Sequence, residues 1–221
     1  DFCLSRGLGD VYKRQTFAAV STHAGEEAII ADVHRKVSER LPRLMTIIVP
    51  RHVERAPEIV KELTGKGLRV ARRSLGEMPD PTTDIYLGDT VGEMGLYLRL
   101  TEVAFVGRSL AGEGGQNPLE AAMLGTAVLS GRYVQNFRDI YQRLIKNGGA
   151  RIVKDGEQLA EEVELLLTDA EARAAMSAAG KASVHEMRGA LSRTMQALEP
   201  FLHPLRLTLN FERRQRGDPH R

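Results

Sequence analysis

Met45-Thr46-Ile47-Ile48-Val49-Pro50 is the stretch on which the fold turns. Its core is apolar and β-branched, with no polar residue at alternate positions, which is the pattern of a strand covered on both faces and not of a half-exposed edge. Pro50 closes it, and a helical stretch follows over 54–63, stopped by Gly65 and Gly67. Working outward, the same alternation repeats. Strands are predicted over 17–20, 68–71, 84–87, 103–106, 127–129 and 150–153, separated by helices over about 25–40, 93–100, 117–124 and 138–146. Two further helices, over 157–168 and 171–186, are rich in Ala, Glu and Leu and read as an outer layer. Strands regularly separated by helices form right-handed βαβ units, so the expected fold class is α/β, a Rossmann-like doubly wound parallel sheet.

Residues 1–15 carry no sustained period and are read as a leader or linker. The domain proper is expected over 16–203, with 204–221, which contains Arg213-Arg214-Gln215-Arg216, as a flexible basic tail. The whole chain has 221 residues, 42% hydrophobic and 27% charged, as in an ordinary globular protein. A net charge of +2 argues for neither nucleic acid nor a membrane surface. The single cysteine, Cys3, excludes an internal disulfide framework, and no apolar run reaches the length of a membrane span. The chain reads as cytosolic.

In an open parallel sheet ligands bind beyond the carboxyl ends of the strands, so residues just after each strand are the candidates. Pro50-Arg51-His52 places an always-protonated fork where it can meet a phosphate, or simply a surface arginine at a helix start. Gly88-Asp89-Thr90-Val91-Gly92-Glu93 has capping-box spacing at Thr90 and Glu93, while Gly92 is a poor residue for a first helical turn and suits close backbone approach by a ligand. The third segment, GEGGQNPLE from Gly112 to Glu120, combines glycines with a helix start: Asn117 as N-cap, Pro118 at the first helical position and Glu120 completing a capping box. Its amides and positive helix end would favour a phosphate, and Glu120 would accept from ribose hydroxyls. A purely structural helix start leaves the long glycine approach unexplained. Ser21-Thr22-His23-Ala24-Gly25-Glu26-Glu27 occupies the place of a dinucleotide turn but lacks G-x-G-x-x-G. No His, Asp, Glu or Cys cluster has metal-ligand spacing, and no metal is expected.

These segments, STHAGEE from Ser21, VPRH from Val49, GDTVGE from Gly88, AFVGRSL from Ala104 and GGQNPLEAA from Gly114, occur in an order that resembles the C-terminal half of the 3-deoxy-D-manno-octulosonic acid (Kdo) transferases, GT-B glycosyltransferases of lipopolysaccharide biosynthesis. The resemblance implies that CMP-Kdo is the donor. Its CMP part would be held at Pro50 and Arg51, at Val91, Gly92 and Glu93, and at Asn117, Pro118, Leu119 and Glu120. Ser109, Gly114, Gly115 and Gln116 would face the sugar. The chain departs from the family pattern at Ala24 (glutamate), Arg108 (glycine) and Gln116 (histidine). In the family a glutamate of the N-terminal domain is the general base, and that domain binds the lipid A precursor and contacts the cytoplasmic face of the inner membrane. The resemblance therefore implies that this chain binds the donor, contains no catalytic residue and does not transfer sugar alone. Another GT-B transferase or epimerase using a UDP-sugar, and a non-catalytic Rossmann-like module, remain alternatives.

Overall fold

The structure, a computed structural model, describes residues 14–215, with side chains given only in part from position 188 onward. The chain divides into two compact units, Asp1–Ser183 and Val184–Arg221. The first contains seven strands: β1 (Thr16–Thr22), β2 (Met45–Pro50), β3 (Val70–Arg72), β4 (Ile85–Leu87), β5 (Val103–Val106), β6 (Ala127–Gly131) and β7 (Ala150–Val153). The helices between them are α1 (Glu26–Ser38), α2 (Ala56–Gly65), α3 (Met94–Arg99), α4 (Leu119–Leu124), α5 (Arg138–Lys146) and α6 (Gly156–Thr168), followed by α7 (Ala170–Gln215). All strand pairs are parallel, in the order β3-β4-β2-β1-β5-β6-β7.

The expected doubly wound sheet is thus the observed one, and the burial explains why its sequence was legible. Every residue of β2 and β5 is buried, because helices cover both faces. Such strands lose the polar alternation of a one-sided sheet. Phe17, Ile48, Phe105 and Leu129 lie in one core with Ile30, Ile59 and Leu159 from the helices. Register places Ala18 of the central strand between Ile47 of β2 and Ala104 of β5.

The topology decides where a ligand can enter. After β1 the chain winds outward through β2 to β3 and β4; after β4 it crosses back to β5 and winds the other way. The order reverses beside β1, opening a crevice at the carboxyl ends of β1, β2 and β5.

Two boundaries differ from expectation. The leader does not extend to residue 15: Arg14 donates to the carbonyls of Arg43 (2.9 Å), Leu44 (3.0 Å), Asp80 (2.8 Å) and Thr83 (2.8 Å), pinning the turns that precede β2 and β4. Residues 1–13, the rest of the expected leader, lie outside the described residues. At the other end the helix read over 171–186 begins at Ala170 and is assigned to Gln215, so the stretch expected as a tail is helical to that point, and 216–221 lie outside the described residues.

Candidate functional site

Glu26 and Glu27 open α1, and both carboxylates are buried, 0% exposed. Glu26 accepts four backbone amides: His23 (3.0 Å) from its own turn, and Arg108 (2.6 Å), Ser109 (2.8 Å) and Leu110 (3.1 Å) from the loop after β5. A carboxylate saturated by amides is a strong anchor. It ties the β1 and β5 loops together across the crevice. Glu27 does the same toward β2, accepting from Thr22 (2.9 Å) and from the Arg55 fork (2.9 and 3.3 Å). Neither glutamate gains a role of its own from sequence, where the Ser21–Glu27 segment reads only as a turn lacking G-x-G-x-x-G and as part of the family resemblance.

At the end of β2, Pro50 is buried and the Arg51 amide donates to the Thr22 carbonyl (3.0 Å). The Arg51 side chain is exposed and makes no ion pair among the described residues. Beside it the His23 and His52 rings meet edge to face at 5.7 Å.

The ends of β3 and β4 are differently made. Arg72 grips Asp89 through Nε (3.0 Å) and Nη2 (2.8 Å), and Ser74 donates to the same carboxylate through its amide (2.8 Å) and hydroxyl (2.6 Å). Arg73 grips Glu93 through Nε (3.0 Å) and Nη2 (2.7 Å), and Thr90 donates its hydroxyl to Glu93. The Arg73 and Thr90 hydrogen bonds hold the Glu93 carboxyl down at about 2. The capping box expected of Thr90 and Glu93 does not form: Thr90 spends its hydroxyl on the carboxylate, and Glu93 is an N-cap without a side-chain cap. With its side chain so engaged, the face that the Val91–Glu93 segment offers a ligand is its backbone and Val91, which is 85% exposed. Gly92 takes φ 87° with nothing within 4 Å of a Cβ built there, so glycine is required by the backbone and not by crowding.

The β5 loop departs from expectation in three places. Ser109, expected near the sugar, is 0% exposed; its hydroxyl donates to the Val106 carbonyl (2.7 Å) and accepts the Gly131 amide (2.8 Å), latching β5 to the β6 loop. The Gly114 and Gly115 amides, expected to face the ligand on its sugar side, donate to Gln135 Oε1 (3.2 Å) and to the Arg108 carbonyl (2.9 Å). Both glycines have positive φ (108° and 72°), and a Cβ would meet Asn136 Nδ2 at 2.6 Å and Val134 Cα at 2.9 Å, so packing against the loop after β6 accounts for them. Third, α4 starts at Leu119 with Pro118 as N-cap. Asn117 Oδ1 accepts the Leu119 amide (3.0 Å), and Glu120 does not reach back to form a box. Leu119 is satisfied by Asn117, and Ala122 donates to Pro118 (3.0 Å); the amides between them, of Glu120 and Ala121, are the ones left to a ligand. Glu120 is exposed, with Oε1 3.6 Å from a Cβ built on Gly95 of α3, so it stands beside the Val91–Glu93 segment. Gln116 is half-buried, its carbonyl accepting from Tyr141 Oη (3.2 Å).

The structure thus gathers Arg51, Val91–Glu93 and Asn117–Glu120 at the carboxyl ends of the strands, and withdraws Ser109 and the two glycine amides into the frame. The cleft offers an unpaired guanidinium, two helix-start amides and an acceptor carboxylate: the groups that suit a phosphate carried by a hydroxyl-bearing sugar. Among the described residues no three His, Cys, Asp or Glu side chains come together as a metal ligand set, and no helix is long and apolar enough to cross a membrane.

The doubly wound parallel sheet, with its crevice beside β1, is that of a GT-B glycosyltransferase C-terminal domain. The fold agrees with the C-terminal domain of a glycosyl transferase group 1 family protein (LpcC) of Francisella tularensis, at TM-score 0.57 and 13% identity over 82% of this chain and 90% of that one. The chain is much more similar to the C-terminal CMP-Kdo binding domain of WaaA from Acinetobacter baumannii: TM-score 0.78 and 30% identity, over 83% of this chain and 96% of that domain. It is also 36% identical to the 3-deoxy-D-manno-octulosonic acid transferase of Haemophilus influenzae and 38% identical to that of Bordetella pertussis, over 86% of this chain in each case. The chain belongs to the 3-deoxy-D-manno-octulosonic acid transferase family. It spans less than half the length of those two relatives, 44% and 45%. No protein-family model matches it.

Proposed function

We propose that this chain is the donor-binding part of a Kdo transferase and holds CMP-Kdo in the cleft described above. The observation that carries the reading is the unpaired Arg51 guanidinium at the end of β2, in a site whose other contributors are helix-start amides and the Glu120 carboxylate. Arg51 and the amides of Glu120 and Ala121 bind the phosphate; Glu120 accepts from ribose hydroxyls; the Val91–Glu93 backbone, with exposed Val91, borders the base. In the whole protein, a lipid A precursor hydroxyl attacks the anomeric carbon, CMP leaves, and configuration inverts. The arginine and amides take up charge that accumulates on the departing phosphate, a task that needs no metal. The general base and acceptor site belong to the rest of the protein, which works at the cytoplasmic face of the inner membrane. The chain by itself therefore binds donor without transferring sugar, because transfer needs both substrates held together beside a base.

Calorimetric titration with CMP, CMP-Kdo and a UDP-sugar tests this. The wild-type chain should prefer the cytidine ligands, and Arg51→Ala should weaken both by roughly 10- to 100-fold, the equivalent of about 1.5–3 kcal/mol for a charged hydrogen bond. Preference for the UDP-sugar, or unchanged binding by the variant, would overturn the assignment.

A further inference from the structure

The arginines that follow the strands divide sharply by whether the protein answers them. Among the described residues, Arg72 and Arg73 after β3 are each held by a carboxylate fork, and Arg132 after β6 lies over the Tyr133 ring at 5.4 Å. Arg51 after β2 and Arg108 after β5 have exposed side chains with no ion pair, and Glu113 in the same loop as Arg108 makes none with it. These two arginines flank β1, the strand between β2 and β5. The Arg51 amide is tied to Thr22 on one side of the β1 turn, and the Arg108 amide shares the Glu26 carboxylate with His23 on the other. Parallel neighbours lie about 4.8 Å apart, so the two backbones stand roughly 10 Å from each other, within the combined reach of two arginine side chains.

Arg108 also sits where an arginine is costly. Its φ is 56°, in the left-handed region that favours glycine. Its Cγ lies 3.4 Å from a Cβ built on Gly112, so the stem covers the glycine-rich loop. An always-charged side chain at a positive φ, unpaired and beside the crevice, keeps its donors free for an incoming anion, at a place where the family pattern has glycine.

We propose that Arg108 is a specificity-determining residue that binds the carboxylate of the donor's acidic sugar, while Arg51 binds the phosphate. The inference rests on the donor reading above. An octulosonic acid joined through its anomeric carbon to a phosphate carries its carboxylate on that same carbon, so the two anions are adjacent and two unpaired arginines on either side of β1 can read both. A neutral sugar would leave the Arg108 side desolvated without a partner, which discriminates against it.

The test compares CMP, which lacks the carboxylate, with CMP-Kdo by calorimetry on the wild-type chain and on Arg108→Gly and Arg108→Lys. Arg108→Gly should lower affinity for CMP-Kdo by at least about 10-fold and leave CMP within about twofold. It should raise Tm by relieving the strained φ, so lost binding is not lost folding. Arg108→Lys should recover part of the CMP-Kdo affinity and none of the Tm gain. Equal loss for both ligands, or no loss for either, overturns the inference while leaving the donor reading in place. A wild-type chain that binds neither ligand overturns both.

Discussion

At the ends of β3 and β4 both arginines are answered: Arg72 by Asp89 and Arg73 by Glu93, each through two guanidinium nitrogens. At the ends of β2 and β5, Arg51 and Arg108 have no such partner among the described residues. The two regions carry the same residue type on the same edge of one sheet, yet one is saturated and the other is open. A forked arginine has its charge met by a carboxylate and serves as scaffold; an exposed, unpaired one keeps five donors for an incoming anion. The saturated side fixes the β4 loop and leaves its backbone as the surface proposed to meet the donor. The open side supplies charge. Between them Glu26 and Glu27 hold the β1 turn to both neighbouring loops.

The largest expected effect is at this junction. Glu26→Ala leaves four amides without their acceptor inside a fully buried site, and should destabilise the chain by about 3–5 kcal/mol in urea unfolding. Glu26→Gln keeps one acceptor oxygen and should cost less, about 2–3 kcal/mol. An alanine variant within about 1 kcal/mol of wild type would mean the β5 loop does not need this anchor.

Arg73→Met tests the saturated side. Losing a half-exposed fork on Glu93 should cost about 1–2 kcal/mol at neutral pH, discounted for solvent screening. The folded Glu93 carboxyl is depressed from an ordinary 4.5 to about 2, so the stability it contributes is present above about 4.5 and is lost as pH falls toward 2. The difference between wild type and variant should therefore be constant above pH 5 and vanish toward pH 2. His34, buried against Thr46 and lowered by that burial from 6.5 to about 4, causes a separate loss of stability between those values. That loss is common to both proteins and cancels in the difference. A difference that stays constant to pH 2 would break the assignment to Glu93.

How far these regions were legible in sequence follows from the range of the interactions that build them. Met45–Pro50 and Val103–Val106 declared buried strands because helix cover removes polar alternation locally, so the sheet and the positions of its loops could be read off. Arg51 and the Val91–Glu93 segment stood out as candidates because they lie in loops that follow strands, and Glu120 because it sits at the helix start after the glycine-rich loop. What could not be read was which arginine is answered. Arg72 meets an acid 17 residues later and Arg73 one 20 residues later, whereas Arg51 and Arg108 look no different in composition. The Thr90–Glu93 spacing matched a capping box because i to i+3 neighbours meet in either arrangement; the distant Arg73 decided for the side-chain contact. Glu26 was overlooked for the same reason, its partners at 108–110 being more than 80 residues away.

The smallest expected effect sharpens the saturated side from within. Tyr86 of β4 and Tyr97 of α3 meet edge to face at 6.3 Å in the same network. Tyr97 Oη approaches Thr90 Oγ1 (3.4 Å) and Glu93 Oε2 (3.5 Å), long contacts that still give the hydroxyl neighbours. Tyr86 is 3% exposed, and its Oη is buried without a hydrogen-bond partner. Arg73 acts on it electrostatically, while the two nitrogens that make short hydrogen bonds, Nε and Nη2, are aimed at Glu93. A buried hydroxyl without a partner has lost its water and gained nothing in return, so removing it should be neutral or stabilising, by up to about 1 kcal/mol, whereas a hydroxyl with partners costs about 0.5–1 kcal/mol to remove. Tyr86→Phe should therefore leave urea stability equal or higher, and Tyr97→Phe should lower it slightly. The opposite order would show that Arg73 divides its donors between Glu93 and Tyr86, and that the fork on Glu93 is weaker than its two short contacts imply.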